Sequence, residues 1–263
     1  MHPHHHTVAR VVAGWFTDPV PEIGYEVAER WWGYHCRIRS MPDRSRVILR
    51  VEDPAETVHA LREIDDERSG EVVIWVDDRS RADRLDEGLV AAGCERRNAI
   101  THLALLGDVR AGRGPSDLVV EDVVIGEDPA ASLELWATVK IRAFSDKEEL
   151  PGAELLSREL AIRVNEVPLA AYQIARIGGE AVAVLAHYTG RDQLVFNLGT
   201  RLPFRHRGVA QAMLARWAAA GTAQGCRSLL INAEEGGRPA ELYRRLGFVD
   251  EVYWYRVYHR RAR

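Results

Sequence analysis

The segment "RHRGVAQAML", residues Arg205–Leu214, places three basic side chains directly before a glycine and an apolar run. The apolar residues of this run recur at helical spacing and predict a helix that continues to about Gln224. Its predicted apolar face comprises Val209, Met213, Leu214 and Trp217. The first four amides of a helix lack internal partners, and the helix dipole makes that end positive. Because Gly208 and Ala210 are small, a phosphate could approach the backbone there, so the segment predicts a cradle for a phosphorylated ligand.

The elements around this segment follow a regular order. After a strand near Leu118, the sequence predicts helices over 129–144 and 152–165, then three antiparallel strands whose turns fall at Gly178-Gly179 and at 189–192. The cradle helix follows, and then a strand beginning near Ser228, a helix over "RPAELYRRL" and a final strand over "VYWYRVY".

Two motifs in this region resemble those of one known family. "TRLPFRHRGVAQAML" (Thr200–Leu214) is similar to the acyl-CoA-binding motif Q/R-x-x-G-x-G/A of the GCN5-related N-acetyltransferase (GNAT) family. "LYRRLGF" (Leu242–Phe248) resembles the C-terminal motif of that family, and the predicted element order from Leu118 to Tyr258 is the order of its fold. The resemblance therefore implies an α/β protein with a GNAT domain, a mixed and mostly antiparallel sheet flanked by helices.

The resemblance implies a cosubstrate, acetyl-CoA, and a site for it. The cradle residues Arg205, His206, Arg207, Gly208, Val209 and Ala210 would hold the pyrophosphate. The end of the preceding strand, Leu198, Gly199 and Thr200, would offer backbone groups to the pantetheine, in a gap between this strand and the strand at 228–232.

Two catalytic residues are also implied. Tyr243 matches the tyrosine that faces the departing sulfur in the family. A thiol has a pKa of about 8.5 and a tyrosine of about 10, so full proton transfer would be uphill by about 2 kcal/mol. We therefore expect Tyr243 to act as a hydrogen-bond donor to the developing thiolate. Where the family often has an asparagine, this sequence has Gly236, and we expect Asn232 to take over part of that role.

A general base is not evident from the sequence. Attack by an amine with a pKa of about 10.4 requires deprotonation at neutral pH. His187, Glu234 and Glu235 are the candidates, with a water chain or an acceptor of low pKa as the alternative.

The region before the segment "GDVRAGRGPSD" (107–117) forms a second predicted domain. We predict domains at 1–110 and 117–263, with the first made of two helices, a strand over 46–53 and a helix over 54–64 with Val58 and Leu61 on one face. A strand over 71–76, a helix over 80–93 and a strand over 99–106 complete it. Ser80 is the predicted N-cap of the last helix, and Leu85 and Leu89 lie on its apolar face.

This first domain is predicted to be either a degenerate, non-catalytic GNAT-like domain or an unrelated α/β domain. Aligning Gly93 with Gly247 places Leu89 at the position of Tyr243, and no Arg-x-x-Gly-x-Ala precedes residue 110. The domain would cover the acceptor or form a homodimer surface. Trp31-Trp32 is a candidate contact for that surface, although we expect both side chains to be buried.

Composition limits the partners. The chain has 263 residues, a net charge of −4 and three distant cysteines, and it contains no apolar run of membrane-spanning length. We expect a cytoplasmic protein that binds no nucleic acid, membrane or metal, with "HPHHH" as a disordered tail.

We expect an N-acetyltransferase that acts on a small-molecule amine. Three alternatives remain open: transfer to a protein amino group, an acyl-CoA sensor without turnover, and a structural subunit.

Overall fold

The computed structural model describes residues 25–38, 41–67, 70–110, 114–145, 148–190 and 192–261. The predicted tail "HPHHH" and the helical pattern at 8–16 lie outside the described residues. Eleven strands and six helices are described. The strands are β1 (Tyr25–Arg30), β2 (Gly33–Ile38), β3 (Met41–Leu49), β4 (Glu71–Val76), β5 (Glu95–Leu105), β6 (Leu118–Asp122), β7 (Ala170–Ile177), β8 (Glu180–Tyr188), β9 (Asp192–Thr200), β10 (Ser228–Glu234) and β11 (Phe248–Arg260). The helices are α1 (Pro54–Glu67), α2 (Arg79–Ala91), α3 (Pro129–Ala143), α4 (Ala153–Glu166), α5 (Val209–Ala223) and α6 (Arg238–Leu246).

The chain groups into two compact units whose boundaries interleave along the sequence. The first unit contains the described residues through His102, together with Ala233–Ala240 and the chain from Glu251 onward. The second contains Leu103–Asn232 and Glu241–Asp250. The C-terminal part of β11 belongs to the first unit because Arg256–Arg260 pairs antiparallel with β4. The two predicted domains, 1–110 and 117–263, stay a prediction, but any division must account for this interleaving.

In the first unit the strand order is β1-β2-β3-β4-β11-β5. The β1–β2 and β2–β3 pairs are antiparallel and the β3–β4 pair is parallel, as the crossover through α1 requires. One hydrophobic core, which includes Leu61, Ile74 and Leu85, joins both helices to the sheet.

Three predictions for the first unit were wrong. The described residues before Met41 form β1 and β2 instead of a second helix. Gly33, at a φ of 137°, begins β2 where a Cβ would lie 1.9 Å from the Ile48 carbonyl oxygen. Val58 is 45% exposed, and it is Ala60 that shares the buried face with Leu61, because the true apolar stripe lies one position away. Asp78, not Ser80, caps α2, with its side chain accepting from the Arg81 amide.

Trp31 and Trp32 have different environments. Trp32 is fully buried in the core, whereas Trp31 is 51% exposed and stacks on His59. The expectation that both indoles are buried is therefore confirmed for Trp32 and wrong for Trp31.

In the second unit the strand order is β10-β9-β8-β7-β6. The predicted three-strand meander is confirmed: β7, β8 and β9 pair antiparallel, and Gly178 and Gly179 make the first turn at φ values of 58° and 86°. Trp136 of α3 is fully buried on one face of this meander and donates its indole N–H to the Leu185 carbonyl at 3.2 Å.

The N-terminal and C-terminal regions of the sequence share an order of elements. In each, three antiparallel strands lead through a helix to a parallel strand and then through a second helix to a last strand. The series is β1, β2, β3, α1, β4, α2, β5 in the N-terminal region and β7, β8, β9, α5, β10, α6, β11 in the C-terminal region. Among the described residues, no helix combines the length and apolar character needed to cross a membrane.

Candidate active site

The loop before α5 has the backbone of an open helix N-terminus. A 3-10 turn, Leu202–Phe204, leads into Arg205, and His206 follows at a φ of 63°. Gly208 is the N-cap at a φ of 79°, and within the described part of the chain no side chain accepts a hydrogen bond there. The glycine is suited to this left-handed conformation, and the first amides of α5 are left for another acceptor.

The basic side chains of this loop have different roles. Arg205 donates to two carbonyl oxygens, to Thr200 at 3.0 Å and to Ala143 at 2.8 Å, and so ties the loop to β9 and α3. His206 and Arg207 are exposed, and the Arg207 guanidinium lies 5.3 Å from the Phe204 ring centroid. The loop therefore carries two basic side chains on its surface and uses the third for its own structure.

Helix α5 holds the loop on the sheet through its apolar face. Val209, Met213, Leu214 and Trp217 are all buried, which confirms the predicted face. Ala210 is half-buried on the first turn.

The parallel ladder between β9 and β10 is short. Four pairs run from Asp192 with Ser228 to Val195 with Ile231, and β9 then continues to Thr200 without a further β10 partner among the described residues. The register of β9 against β8 shifts at the same place, since His187 pairs with Val195 and Ala186 with Asn197. The bulge and the end of the ladder together leave one edge of β9 free of strand pairing over its C-terminal half.

The end of β9 is crowded on one face and polar on the other. A Cβ at Gly199 would lie 2.7 Å from the Phe144 ring and 2.9 Å from the Ala143 Cβ, so the glycine permits close packing on α3. Thr200 Oγ1 is buried and has no hydrogen-bond partner in the described part of the chain. An unpaired buried hydroxyl at a strand end is a suitable contact for a polar ligand.

Tyr243 lies on α6 and is buried, with 6% of its surface exposed. Its ring packs edge-on against Phe248, at 6.3 Å between centroids. Burial raises the pKa of its phenol well above the ordinary value, because the low-dielectric surroundings disfavour the anion. No hydrogen bond of its hydroxyl is found within the described residues, so this group can donate to a ligand but resists ionisation.

Asn232 is half-buried on β10, one residue beyond the last β9 pair. Gly236 lies in the turn after β10 at a φ of 70°, with open space where a Cβ would be. An asparagine would therefore fit at 236, since asparagine tolerates this conformation better than most residues.

The three candidate bases are all engaged in structural contacts. His187 is buried beside Trp217, with 6.0 Å between ring centroids, and burial lowers the pKa of its imidazole. Its Nδ1 lies 3.2 Å from the Tyr188 carbonyl oxygen, so its ring is a core group.

Glu234 and Glu235 belong to the first unit. Glu234 accepts from the Asn98 side chain at 3.0 Å. Glu235 accepts from the Trp254 indole at 2.9 Å and pairs with Arg79. Although partial burial opposes it, these partners lower the pKa of Glu235, which stabilises a paired carboxylate. Both carboxylates are therefore already engaged by side-chain donors of the first unit.

A buried ionic cluster, which the sequence analysis missed, lies between α3 and α4. Arg163 donates to Glu159 at 2.8 Å and pairs with Glu166, and Lys140 of α3 reaches Glu159 at 2.9 Å. The Arg163 guanidinium also lies 5.5 Å from the Phe196 ring, at the bulge of β9. Helical spacing within α4 could have suggested the two pairs made by Arg163, but not their burial.

The corresponding helix start in the first unit is chemically different. Before α1, Asp53 Oδ1 accepts from the Ala55 amide at 2.8 Å, and Glu56 lies in the first turn. A carboxylate therefore binds a first-turn amide of α1, whereas the described residues provide no such side-chain acceptor for α5. At the position aligned with Tyr243, Leu89 is fully buried in the core. No group of side chains suited to a metal ion occurs in the described ranges.

Several solved structures are similar in fold to this chain. A GCN5-related N-acetyltransferase from Kribbella flavida is 18% identical, with 98% of this chain and 96% of that chain covered and a TM-score of 0.62. Another, from Sphaerobacter thermophilus, is 19% identical over 88% of this chain and 77% of that chain, with a TM-score of 0.61. A tandem GNAT protein from the clavulanic acid biosynthesis pathway is 15% identical, covering 97% and 88% of the two chains, with a TM-score of 0.55.

No family model matches the sequence. The likeness is therefore one of structure, and it extends over most of the chain. It confirms the predicted fold class: the protein has the α/β fold of the GCN5-related N-acetyltransferases, with helices flanking a mixed sheet.

Proposed function

We propose that the protein is an N-acetyltransferase that transfers the acetyl group of acetyl-CoA to a primary amine of a small molecule. The observation that carries the proposal is the open N-terminus of α5 at Gly208, next to the unpaired edge of β9. A phosphate-binding helix start beside a strand with free backbone groups matches the two chemically distinct halves of CoA.

The residues at this position fit such a ligand. The amides of Val209 and Ala210 would donate hydrogen bonds to the pyrophosphate at the positive end of the helix dipole, with Gly208 giving close access. His206 and Arg207 would add charge from the surface, while Arg205 would hold the loop. Leu198, Gly199 and Thr200 would offer backbone groups, and the Thr200 hydroxyl a side-chain contact, to the pantetheine.

When bound, acetyl-CoA supplies the acetyl group as a thioester, and the chain's own residues bind, orient and stabilise. Tyr243 would donate a hydrogen bond to the departing sulfur and keep its proton, since burial raises its pKa. Asn232 lies just beyond the end of the β9–β10 ladder, where its side-chain amide would form hydrogen bonds with polar groups of the bound ligands.

No residue of the chain is proposed as a strong general base. Only about one in 2,500 molecules of an amine with a pKa of about 10.4 is neutral at pH 7. His187 and Glu235 are committed to the contacts described above. We therefore propose that the acceptor amine either has a low pKa of its own or loses its proton through water.

The N-terminal region would be a degenerate GNAT-like domain without transferase activity. Its element order repeats that of the C-terminal region, but Asp53 fills the helix start and Leu89 replaces the tyrosine. Its roles, as a cover for the acceptor or as a homodimer surface, belong to the same proposal.

A calorimetric titration with acetyl-CoA tests the proposal. The wild-type protein should bind with a micromolar dissociation constant, and Gly208→Trp should abolish binding by filling the cradle. Gly225→Trp is the matched control, because Gly225 has a φ of 72° at the other end of α5 and open space around it. This control should introduce a similar backbone strain and should still bind acetyl-CoA.

Two outcomes would contradict the proposal. If the wild type does not bind acetyl-CoA, the fold serves a structural purpose and the enzyme assignment fails. If it binds but releases no free thiol with any of a panel of amines and exposed peptide amino groups, the protein is an acyl-CoA sensor.

A further inference from the structure

One carboxylate joins the cradle loop to a distant part of the chain. Glu148 lies in the connection between α3 and α4, and its Oε1 accepts from the Leu202 amide at 3.0 Å. Its Oε2 accepts from Arg201 Nε at 2.9 Å and from Arg142 Nη2 at 2.7 Å. A single side chain therefore holds the last turn of α3 and the residues that enter the cradle.

Arg201 is the centre of this contact. It is 5% exposed, and it also pairs with Glu180 at 2.6 Å and donates to the Ala181 carbonyl at 2.9 Å. A buried guanidinium with partial pairing is costly, so both carboxylates are needed to keep it at the end of β9. Although partial burial opposes it, the hydrogen bonds from Arg201 lower the pKa of Glu148.

Leu202 is the first residue of the turn that leads into the cradle loop. Leu202 begins the 3-10 turn that leads through Arg205 to His206 and Gly208, which take left-handed conformations. A loop with such backbone angles keeps them only where its surroundings fix it. The Glu148 carboxylate fixes its first residue, and the Arg205 bond to Ala143 fixes its middle.

We propose that Glu148 is a positioning residue for the phosphate cradle, which it holds in a binding-competent shape through Leu202 and Arg201. The proposal rests on the proposed function, since it assigns the cradle to CoA. By linkage, bound CoA stabilises the contact of Glu148 with the cradle loop by the same free energy that this contact contributes to CoA binding. The connection between α3 and α4 is then coupled to occupancy of the cofactor site.

Calorimetry with CoA, which needs no acceptor and no turnover, tests the proposal. Glu148→Gln keeps an acceptor for the Leu202 amide but removes the negative charge that pairs with Arg201. It should weaken CoA binding about tenfold. Glu149→Gln is the control, because its neighbouring side chain is exposed, and it should bind as the wild type does. Glu180→Gln removes the other partner of Arg201 without touching Leu202, and its effect should be smaller than that of Glu148→Gln.

A second variant isolates the backbone hydrogen bond. Leu202→Pro removes the N–H that Glu148 accepts and leaves all ion pairs in place. Arg201 has a ψ of 145°, which suits a residue before proline, and the Leu202 side chain is 46% exposed. This variant should fold and should also bind CoA about tenfold more weakly.

The outcomes separate this inference from the proposed function. If the wild type binds CoA and both Glu148→Gln and Leu202→Pro bind within twofold of it, Glu148 is not a positioning residue. If Glu148→Gln does not fold, Leu202→Pro decides alone. As a further readout, hydrogen exchange at 148–150 should slow when CoA is added to the wild type, and unchanged exchange would contradict the coupling. Failure of the wild type to bind CoA would overturn both proposals.

Discussion

Val195 of β9 and Ile231 of β10 form the last pair of a parallel ladder, and β9 continues for five residues beyond it. The ladder ends where the pairing of β9 with β8 shifts register between Ala186 and His187. A bulge increases the local twist of a strand, and so the two neighbours of β9 cannot both follow it. The unpaired edge next to the cradle is a direct consequence.

Tyr243→Phe should lower kcat by about 10²-fold or more, because the phenol is the proposed donor to the departing thiolate. The dissociation constant of CoA should stay within about twofold of the wild-type value, since Phe keeps the packing on Phe248. Stopped-flow detection of free thiol and calorimetry measure the two quantities. An unchanged kcat would remove Tyr243 from the reaction.

Asn232→Ala should reduce kcat about tenfold if its amide has taken the role of the family asparagine. Gly236→Asn restores that asparagine in a turn with open space at a φ of 70°, and it should leave the fold intact. The double variant, with Asn232→Ala and Gly236→Asn together, shows in the same thiol assay whether an asparagine at 236 can replace the one at 232. Recovery of the wild-type rate in the double variant would show that the two sites are interchangeable, and no effect of Asn232→Ala would exclude the residue.

Arg163→Ala should destabilise the protein by about 3–5 kcal/mol, because it leaves the carboxylates of Glu159 and Glu166 buried with fewer partners. Arg216→Ala is the control: Arg216 pairs with Asp122 at 3.2 Å while 49% of its side chain is exposed, and its loss should cost less than about 1 kcal/mol. Urea unfolding of both variants measures the difference. Equal losses of unfolding free energy in the two variants would mean that the buried cluster stabilises the protein no more than an exposed ion pair does.

His102 should make the protein sensitive to acid. Burial lowers the pKa of its imidazole from 6.5 to about 3, so between these values the unfolded chain binds a proton that the folded chain does not. Stability is therefore lost as the pH falls through 6.5, by about 2 kcal/mol between pH 7 and pH 5 for this group alone.

The variant His102→Leu should lose less stability than the wild type over the same pH interval, by about that 2 kcal/mol. Leu89→Ala serves as the control, because it weakens the core without removing a titrating group and should keep the wild-type pH dependence. Free energies of unfolding in urea at the two pH values give the answer. Parallel pH profiles for wild type and His102→Leu would contradict the assignment.

Local patterns in the sequence predicted most elements because each element has its own period. The meander was readable from alternating apolar residues around Gly178-Gly179, and the helix before Gln224 from its apolar face. The same reasoning failed at β1 and β2: the alternation of Tyr34, Cys36 and Ile38 with polar residues in β2 is only five residues long, and it was missed. There the pairing with β3 decides the structure, and that partner is invisible in a local window.

The candidate site divides in the same way. The Gly208 cradle and Tyr243 follow from contiguous motifs, whereas the contact of Glu148 with Leu202 joins residues 54 positions apart. Sequence reasoning also gave Arg205 to the ligand, while its two bonds to carbonyl oxygens assign its side chain to the loop.

The sequence by itself determined the α/β fold, the order of the elements from Leu118 onward and the place of the helix start at Gly208, because these depend on periodicity and on glycine positions within short segments. Only the tertiary structure decided which segments join each unit, where the β9–β10 ladder ends and which charged groups are committed to ion pairs. These properties depend on strand pairing and on burial between distant residues, and both are set by packing of the whole chain.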